Sequence, residues 1–261
     1  MLIDTHAHYD DAKFAEDLET CLEDARAAGV SHIVNAAQDL ATTRKIMEMS
    51  KTFPYIYGTA GIHPHEAGKA DASHYEAIRR LTAGEEAARN KIVAIGETGL
   101  DYYYDFSPRE VQKENFTRHI EIALEVGLPL VVHDRDAHED CLEILDQNGA
   151  FSGKVVFHCY SGSLEFARIL AEKGCYFSFG GAITFKNAKK FPEILRGIPA
   201  DRLMLETDCP YLAPEPNRGK RNSSLNLPYV VKAMGELKGI SEEEVRRITW
   251  ENGLKLYRME R

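Results

Sequence analysis

Short apolar runs alternate with longer amphipathic segments along most of this 261-residue chain. Runs such as 91–96 and 128–133 are almost continuously apolar, which is typical of parallel strands that are covered on both faces. The alternation predicts eight strands, each followed by a helical segment. The predicted strands lie near residues 2–6, 31–36, 55–62, 91–96, 128–133, 154–159, 175–181 and 202–206.

Residues that begin and end helices lie between these runs. The segment Ser107-Pro108-Arg109-Glu110 combines an N-cap serine, a proline at the first helical position and a glutamate at the third, and Gly127 ends this helix. Ser163 and Gly174 bound a later helix in the same way. Ser241, followed by three glutamates, predicts an extra helix at the C-terminus.

Eight strand–helix units in roughly 250 residues predict an α/β protein, and specifically a closed (β/α)8 TIM barrel. An open doubly wound sheet is the alternative, and it is disfavoured because no glycine-rich phosphate loop follows the first strand. No Ser/Gly-rich linker, low-complexity tract or change of composition marks a boundary. We therefore expect residues 1–261 to form a single domain.

Charge and cysteine content narrow the class of protein. The formal net charge is −9, with 41 acidic and 32 basic residues, which disfavours a broad basic surface for nucleic acid but not local phosphate contacts. The five cysteines include no CxxC pair and are typical of a reduced, cytoplasmic protein. Because the sequence has neither a signal-peptide pattern nor an apolar run of about 20 residues, we expect no membrane span.

Side chains that commonly bind metals lie at the ends of several predicted strands. His6 and His8 are two residues apart in an extended segment, so they point to the same face. For a single histidine, a hydrogen-bonded core residue is the simpler explanation. For six such residues at one face of the barrel, that explanation would require six independent coincidences. The six residues are His6, His8, Glu97, His133, His158 and Asp208.

Four imidazoles and two carboxylates exceed what one tetrahedral ion with an open position requires. They suit two divalent ions bridged by a carboxylate, and Glu97 is the natural bridge. Such a pair of ions can clamp the attacking and leaving oxygens of a displacement. We expect Glu97 and Asp208 to be catalytic, with Asp208 serving as ligand, general base or both.

Six segments carry a resemblance to a known family: HAH at 6–8, GIHPH at 61–65, GETGLDYY at 96–103, HDRDAHED at 133–140, HCYSGS at 158–163 and ETDCPYLAPEPNRGKRN at 206–222. In this order, and across nearly the whole chain, they resemble the TatD family. Its members are metal-dependent deoxyribonucleases related to the amidohydrolase superfamily. The resemblance implies a distorted (β/α)8 barrel.

The resemblance also implies roles for individual residues. His6, His8, Glu97 and Asp208 match the ligands of one metal ion. Glu97, His133 and His158 match the ligands of a second ion. The implied cofactors are two divalent ions of zinc, magnesium or manganese. The implied reaction is phosphodiester hydrolysis, often in the 3′→5′ direction on single-stranded DNA ends.

Two departures from the family pattern are visible. Ser223-Ser224-Leu225 follows Asn222, where family members often have an acidic residue and a proline. This departure concerns residues expected at the edge of the site and none of the expected ligands. Tyr160 stands where a phenylalanine is common.

Further candidates for substrate binding lie near the predicted strand ends. We favour a functional role for His63 and a hydrogen-bonded loop role for His65. Arg135, and Arg221 in the basic segment 218–221, are candidates for phosphate contacts, with ion pairing or a solvated loop as alternatives. For the tyrosines at 102–104 we favour packing, with base stacking as the alternative.

Together these features predict a cytoplasmic phosphodiesterase that acts on DNA. The first alternative is a small-molecule ester, lactone or amide hydrolase that uses the same ions. An amide hydrolase needs no cluster of arginines at the site, which favours the phosphodiesterase. The second alternative, a non-enzymatic metal-binding or partner-binding protein, would need closed coordination, and six ligands for two ions argue against that.

Overall fold

The computed structural model describes residues 1–260. Its eight strands belong to one sheet and follow one another in sequence order, from β1 to β8. The strands are β1 (Leu2–Ala7), β2 (Val30–Asn35), β3 (Ile56–Ala60), β4 (Ile92–Asp101), β5 (Leu130–Arg135), β6 (Val155–Phe157), β7 (Tyr176–Phe179) and β8 (Leu203–Leu205). The helices are α1 (Leu18–Ala27), α2 (Leu40–Thr52), α3 (Ala72–Thr82), α4 (Glu85–Arg89), α5 (Arg109–Val126), α6 (His138–Gln147), α7 (Leu164–Glu172), α8 (Phe191–Gly197), α9 (Leu227–Lys238) and α10 (Glu242–Tyr257).

Several predicted helix ends are confirmed. The side chain of Ser163 accepts the N–H of Phe166 and caps α7. Ser241 caps α10 through the N–H of Glu244. Gly127 ends α5 with a φ of 67°, a left-handed conformation that glycine adopts without steric cost.

The predicted end of the fourth strand was wrong. β4 continues past Gly96 to Asp101, so Glu97 lies inside the strand and not after it. The extension pairs with β5, where Thr98 is opposite Val132 and Asp101 is opposite Arg135. The sequence hid this extension because two glycines and several polar residues resemble a loop, although every residue of β4 is buried.

The start of α5 also differs from the prediction by one position. The helix begins at Arg109 with Pro108 before it, and Ser107 does not cap it. The Ser107 hydroxyl instead accepts the N–H of Gly68 and donates to the carbonyl of His65. These tertiary hydrogen bonds hold the short 3₁₀ helix Pro64–Lys69, which carries His65.

The chain divides into two compact units, and the first comprises Met1–Asn35 together with the segment from Gly162 onward. In this unit the first and last strands lie side by side, since the hydroxyl of Thr5 donates to the carbonyl of Leu205 at 2.8 Å. With eight parallel strands in sequence order, adjacency of β1 and β8 defines a (β/α)8 barrel and excludes the open doubly wound sheet. The predicted fold class is confirmed.

The second unit, Ala36–Ser161, contains β3 to β6 and α2 to α6. Its strands pair in parallel, β3 with β4, β4 with β5, and β5 with β6. At Gly61 an added Cβ would lie only 2.5 Å from the backbone of Gly96. The absence of a side chain at Gly61 therefore allows the chain after β3 to pass close to β4.

None of the five cysteines, which all lie within residues 1–260, forms a disulfide, and Cys141, Cys175 and Cys209 are buried. None of the helices formed by residues 1–260 is long and apolar enough to cross a membrane.

Candidate metal centre

The first group of candidate metal ligands, termed the first ligand group, consists of His6, His8 and Asp208. The two histidines come from the end of β1, and their ring centroids are 5.0 Å apart. Asp208 follows β8, and its Oδ1 lies 3.3 Å from Nε2 of His8 and 3.9 Å from Nε2 of His6. Residues that are about 200 positions apart in sequence thus place two imidazoles and one carboxylate together.

Backbone pairing between β1 and the segment after β8 positions Asp208. The N–H of Asp208 donates to the carbonyl of His6 at 2.9 Å, and the N–H of His8 donates to the carbonyl of Cys209 at 2.8 Å. Asp208 has a φ of 56°, in the left-handed region that aspartate and asparagine tolerate better than most residues. The carboxylate is therefore held by the backbone on both sides.

A buried hydrogen-bond network supports this segment. Asp4 accepts the backbone N–H of Thr207 at 2.9 Å and the hydroxyls of Thr207 and Ser224, each at 2.6 Å. Burial raises the pKa of Asp4 to about 6, against the hydrogen bonds from Ser224 and Thr207, which lower it. Ser224 belongs to the segment that departs from the family pattern, and its side chain is buried and bonded to Asp4. The departure thus contributes to the support of Asp208.

The second ligand group is centred on Glu97, which is almost completely buried. Its Oε1 lies 2.7 Å from Nε2 of His158, 2.8 Å from Nδ1 of His133 and 3.4 Å from Nε2 of His63. One carboxylate oxygen therefore faces three imidazole nitrogens. Nitrogen and carboxylate oxygen donors in this arrangement fit a divalent ion such as zinc or manganese.

A second carboxylate orients the ring of His133. Nε2 of His133 lies 3.0 Å from Oδ2 of Asp101, so the other ring nitrogen faces Glu97. A metal-binding histidine usually donates its second N–H to such an acceptor. Burial by itself lowers the pKa of His133, but the hydrogen bonds to Asp101 and Glu97 outweigh burial and raise the pKa to about 10.

Close approach of β4 to β5 makes this orientation possible. Gly99 is directly opposite His133 in the strand register. A Cβ added at Gly99 would lie 2.1 Å from the carbonyl oxygen of His133. Any side chain at position 99 would therefore push β5 away and displace His133 from Glu97 and Asp101.

The hydrogen bonds of His63 are those expected of a hydrogen-bond donor and not of a metal ligand. Its Nδ1 accepts the N–H of His65 at 3.1 Å, which places the proton of the neutral ring on Nε2, the atom that faces Glu97. Burial lowers the pKa of His63 to about 4, so the ring is neutral near pH 7. A buried neutral N–H donor suits an acceptor such as a phosphate oxygen.

His65 lies farther out and is partly exposed. Its Nε2 donates to Oδ2 of Asp101 at 2.9 Å, the oxygen that also accepts from His133. Although burial opposes it, hydrogen bonds from His133 and His65 hold the pKa of Asp101 far below its usual range. Asp101 is thus an ionised carboxylate that holds two histidine rings.

The two arginine candidates have different environments. Nη1 of Arg221 lies 2.8 Å from Oδ1 of Asp17, and Nη2 contacts the other carboxylate oxygen, so the guanidinium is held in a two-point ion pair. Arg135 is exposed at the end of β5, and no carboxylate within residues 1–260 lies in ion-pair distance of it. The guanidinium of Arg135, unlike that of Arg221, is therefore available to bind an external anion.

The sequence pattern did not indicate Asp101 as a site residue. The available signal was its spacing, because residues 97, 99 and 101 of an extended strand share one face. The signal was missed because the predicted strand stopped at residue 96. The buried network of Asp4, Thr207 and Ser224 was missed as well, since its members are far apart in sequence.

Histidine and carboxylate groups gathered on the strands of a (β/α)8 barrel are the arrangement expected of a metal-dependent hydrolase. Comparison with known proteins gives the family within that class. Residues 3–258 match the TatD related DNase family, and the chain belongs to it.

Three relatives illustrate the relationship. The metal-dependent hydrolase YabD of Bacillus subtilis is 44% identical over 259 residues, which cover 99% of this chain and 100% of YabD. The 3′-5′ ssDNA/RNA exonuclease TatD of Escherichia fergusonii is 31% identical over 243 residues, covering 91% of this chain and 92% of that protein. The crystal structure of YjjV, a TatD homologue from Escherichia coli K12, has a TM-score of 0.92 at 27% identity, with 99% of this chain and 98% of YjjV covered. This chain is a metal-dependent hydrolase of the TatD family.

Proposed function

We propose that this chain hydrolyses phosphodiester bonds at single-stranded DNA ends in the 3′→5′ direction, through a dinuclear metal centre. The single observation that carries the proposal is the Glu97 carboxylate, whose one oxygen faces three imidazole nitrogens within 3.4 Å. Similarity to the exonuclease of Escherichia fergusonii supports the choice of substrate. The cytoplasmic location stays a prediction.

The proposed ligands follow the family pattern. His6, His8, Glu97 and Asp208 would hold one divalent ion, and Glu97, His133 and His158 the other. Their joint action in one centre rests on the family resemblance. It is supported by the positions of His6, His8, His158 and Asp208 at or just after strand ends, the usual location of active sites in this fold. Bound divalent ions of zinc, magnesium or manganese would act as Lewis acids towards the phosphodiester and lower the pKa of water.

The remaining roles belong to side chains of the chain itself. Asp208 is the proposed acceptor of the proton from the attacking water. His63 would donate from Nε2 to a phosphate oxygen, and Arg135 would bind a second phosphate through its guanidinium. Arg221 was the other candidate for a phosphate contact, and its ion pair with Asp17 favours Arg135 for this role.

Metal removal and restoration test the proposal directly. Protein stripped with a chelator should not cleave labelled single-stranded DNA, and added zinc, manganese or magnesium should restore cleavage. Products should shorten from the 3′ end, and duplex DNA and RNA of the same sequence serve as comparison substrates. Equal rates with and without metal would contradict the metal centre. Metal-dependent hydrolysis of esters or lactones without any cleavage of nucleic acid would favour the small-molecule alternative.

Replacement of Arg135 by alanine should raise KM for single-stranded DNA roughly tenfold, because a charged hydrogen bond to phosphate is lost. The slope of log affinity against log salt should fall by about one, as expected for one lost phosphate contact. Metal content should not change. Steady-state kinetics at several salt concentrations measure both effects.

Arg221→Ala is the matched comparison for Arg135→Ala. Because Asp17 already neutralises Arg221, its removal should change KM and the salt slope much less. A larger effect at Arg221 than at Arg135 would reverse the assignment of the phosphate contact.

A further inference from the structure

Three large aromatic side chains are exposed to solvent directly after β4. Tyr103, Tyr104 and Phe106 are 59%, 56% and 68% accessible, whereas every residue of β4 is buried. The sequence pattern favoured packing for the tyrosines at 102–104, and this prediction was wrong for Tyr103 and Tyr104. Exposed apolar groups that adjoin one another commonly mark a binding surface. We call these three residues the aromatic patch.

The aromatic patch has a defined geometry. The ring centroids of Tyr103 and Tyr104 are 4.9 Å apart, and those of Tyr104 and Phe106 are 5.4 Å apart at an interplanar angle of 34°. The backbone N–H groups of Tyr103 and Tyr104 both donate to Oδ1 of Asp101, at 3.1 and 2.8 Å. The buried carboxylate of Asp101 thus holds the turn that carries the rings. Because the turn is already ordered, binding of a ligand costs little conformational entropy there.

A cation adjoins the aromatic patch. The guanidinium of Arg135 lies 4.8 Å from the ring centroid of Tyr103. The neighbouring Arg109 covers Tyr102 and is paired with Asp105 at 3.2 Å, whereas no such carboxylate pairs with Arg135 in the part of the chain described. In a protein with a net charge of −9, an unneutralised arginine beside exposed rings suits a ligand that combines anionic groups with flat, stackable ones.

The aromatic patch is continuous with the second ligand group. The ring of His65 lies 5.4 Å from Tyr104 and 4.8 Å from Phe106, between centroids. Nε2 of His65 and Nε2 of His133 donate to the same oxygen of Asp101. A nucleic acid strand with a phosphodiester bond at His133 would therefore have neighbouring nucleotides within reach of the patch.

We infer that the aromatic patch is a stacking surface for unpaired bases of the substrate, with Arg135 binding a phosphate next to them. The inference rests on the proposed phosphodiesterase function and adds the surface that would distinguish single strands from duplexes. Bases in a duplex have their faces covered by neighbouring pairs, whereas bases in a single strand can stack on protein rings. A protein partner would not require the arginine or the continuity with the ligand group.

The test compares two oligonucleotides of equal length, a deoxyadenosine single strand and an abasic single strand that keeps the phosphates and lacks bases. In the double variant Tyr104→Ala/Phe106→Ala, KM for the deoxyadenosine strand should rise by about 10- to 100-fold. Values of kcat, metal content and KM for the abasic strand should stay at the wild-type level. The aromatic replacements Tyr104→Phe and Phe106→Tyr should preserve KM, and Tyr229→Ala, at an exposed tyrosine of α9, is the control for loss of a surface ring.

Three results would overturn the inference. In the double variant these are an unchanged KM for the deoxyadenosine strand, an equal rise in KM for both strands, and a change of oligomeric state in size-exclusion chromatography. The last result would make the patch a protein interface.

A wild-type protein that cleaves neither strand would contradict the proposed function but not decide the role of the patch. Fluorescence anisotropy of the same two oligonucleotides then decides it. Preferential binding of the deoxyadenosine strand that the double variant loses supports stacking, and absence of this preference refutes it.

Discussion

Replacing Asp208 with asparagine is expected to lower kcat by roughly 10²- to 10⁴-fold while most of the metal stays bound. Asparagine keeps the shape and one oxygen ligand of the aspartate but cannot accept a proton. It also tolerates the φ of 56° at this position, so the backbone pairing with His6 should survive. Metal stoichiometry and kcat measured on the same preparation separate the roles of ligand and base.

Asp136→Asn is the matched control for this variant. Asp136 also has a φ of 56°, it is exposed, and it lies outside both ligand groups. Its turnover should stay near that of the wild type. If Asp208→Asn kept wild-type turnover with its metal bound, Asp208 would be a ligand only. The base would then have to be sought elsewhere, and not at His63, whose Nε2 carries the ring proton.

Replacing Glu97 with glutamine is expected to lower both metal content and turnover. Glutamine removes the negative charge that faces His133, His158 and His63 in a buried environment. As the proposed bridging ligand, Glu97 contributes to both ions, so loss of its charge should weaken both. Metal analysis after dialysis should show less than the wild-type stoichiometry, and thermal unfolding without metal checks that the variant folds.

Asp101→Asn is the comparison for Glu97→Gln, with a smaller expected loss of metal affinity. Asp101 is bonded to His133 and is not one of the proposed ligands, so its replacement should weaken metal affinity by about 10- to 100-fold without abolishing binding. Retention of the full metal stoichiometry at wild-type affinity in Glu97→Gln would show that Glu97 is not a bridging ligand.

The sequence alone determined the class of fold. Strands covered on both faces leave apolar runs, and helix ends require particular residues, so both are visible locally. Ser163, Ser241 and Gly127 act as predicted because capping depends on residues within one turn. The candidate ligands His6 and Glu97 were also visible, since a residue type and its place beside an apolar run are both local features of the sequence.

The tertiary structure decided what depends on neighbours that are distant in sequence. The end of β4 was set by pairing with β5, a contact that no local pattern records. The role of Asp101 required His133 to lie opposite Gly99, and the choice between Arg135 and Arg221 required the position of Asp17. Exposure of Tyr103 is likewise a property of the folded surface. Hydrophobic periodicity specifies which face of an element is buried, but the partner of each polar side chain is specified only when the chain has folded.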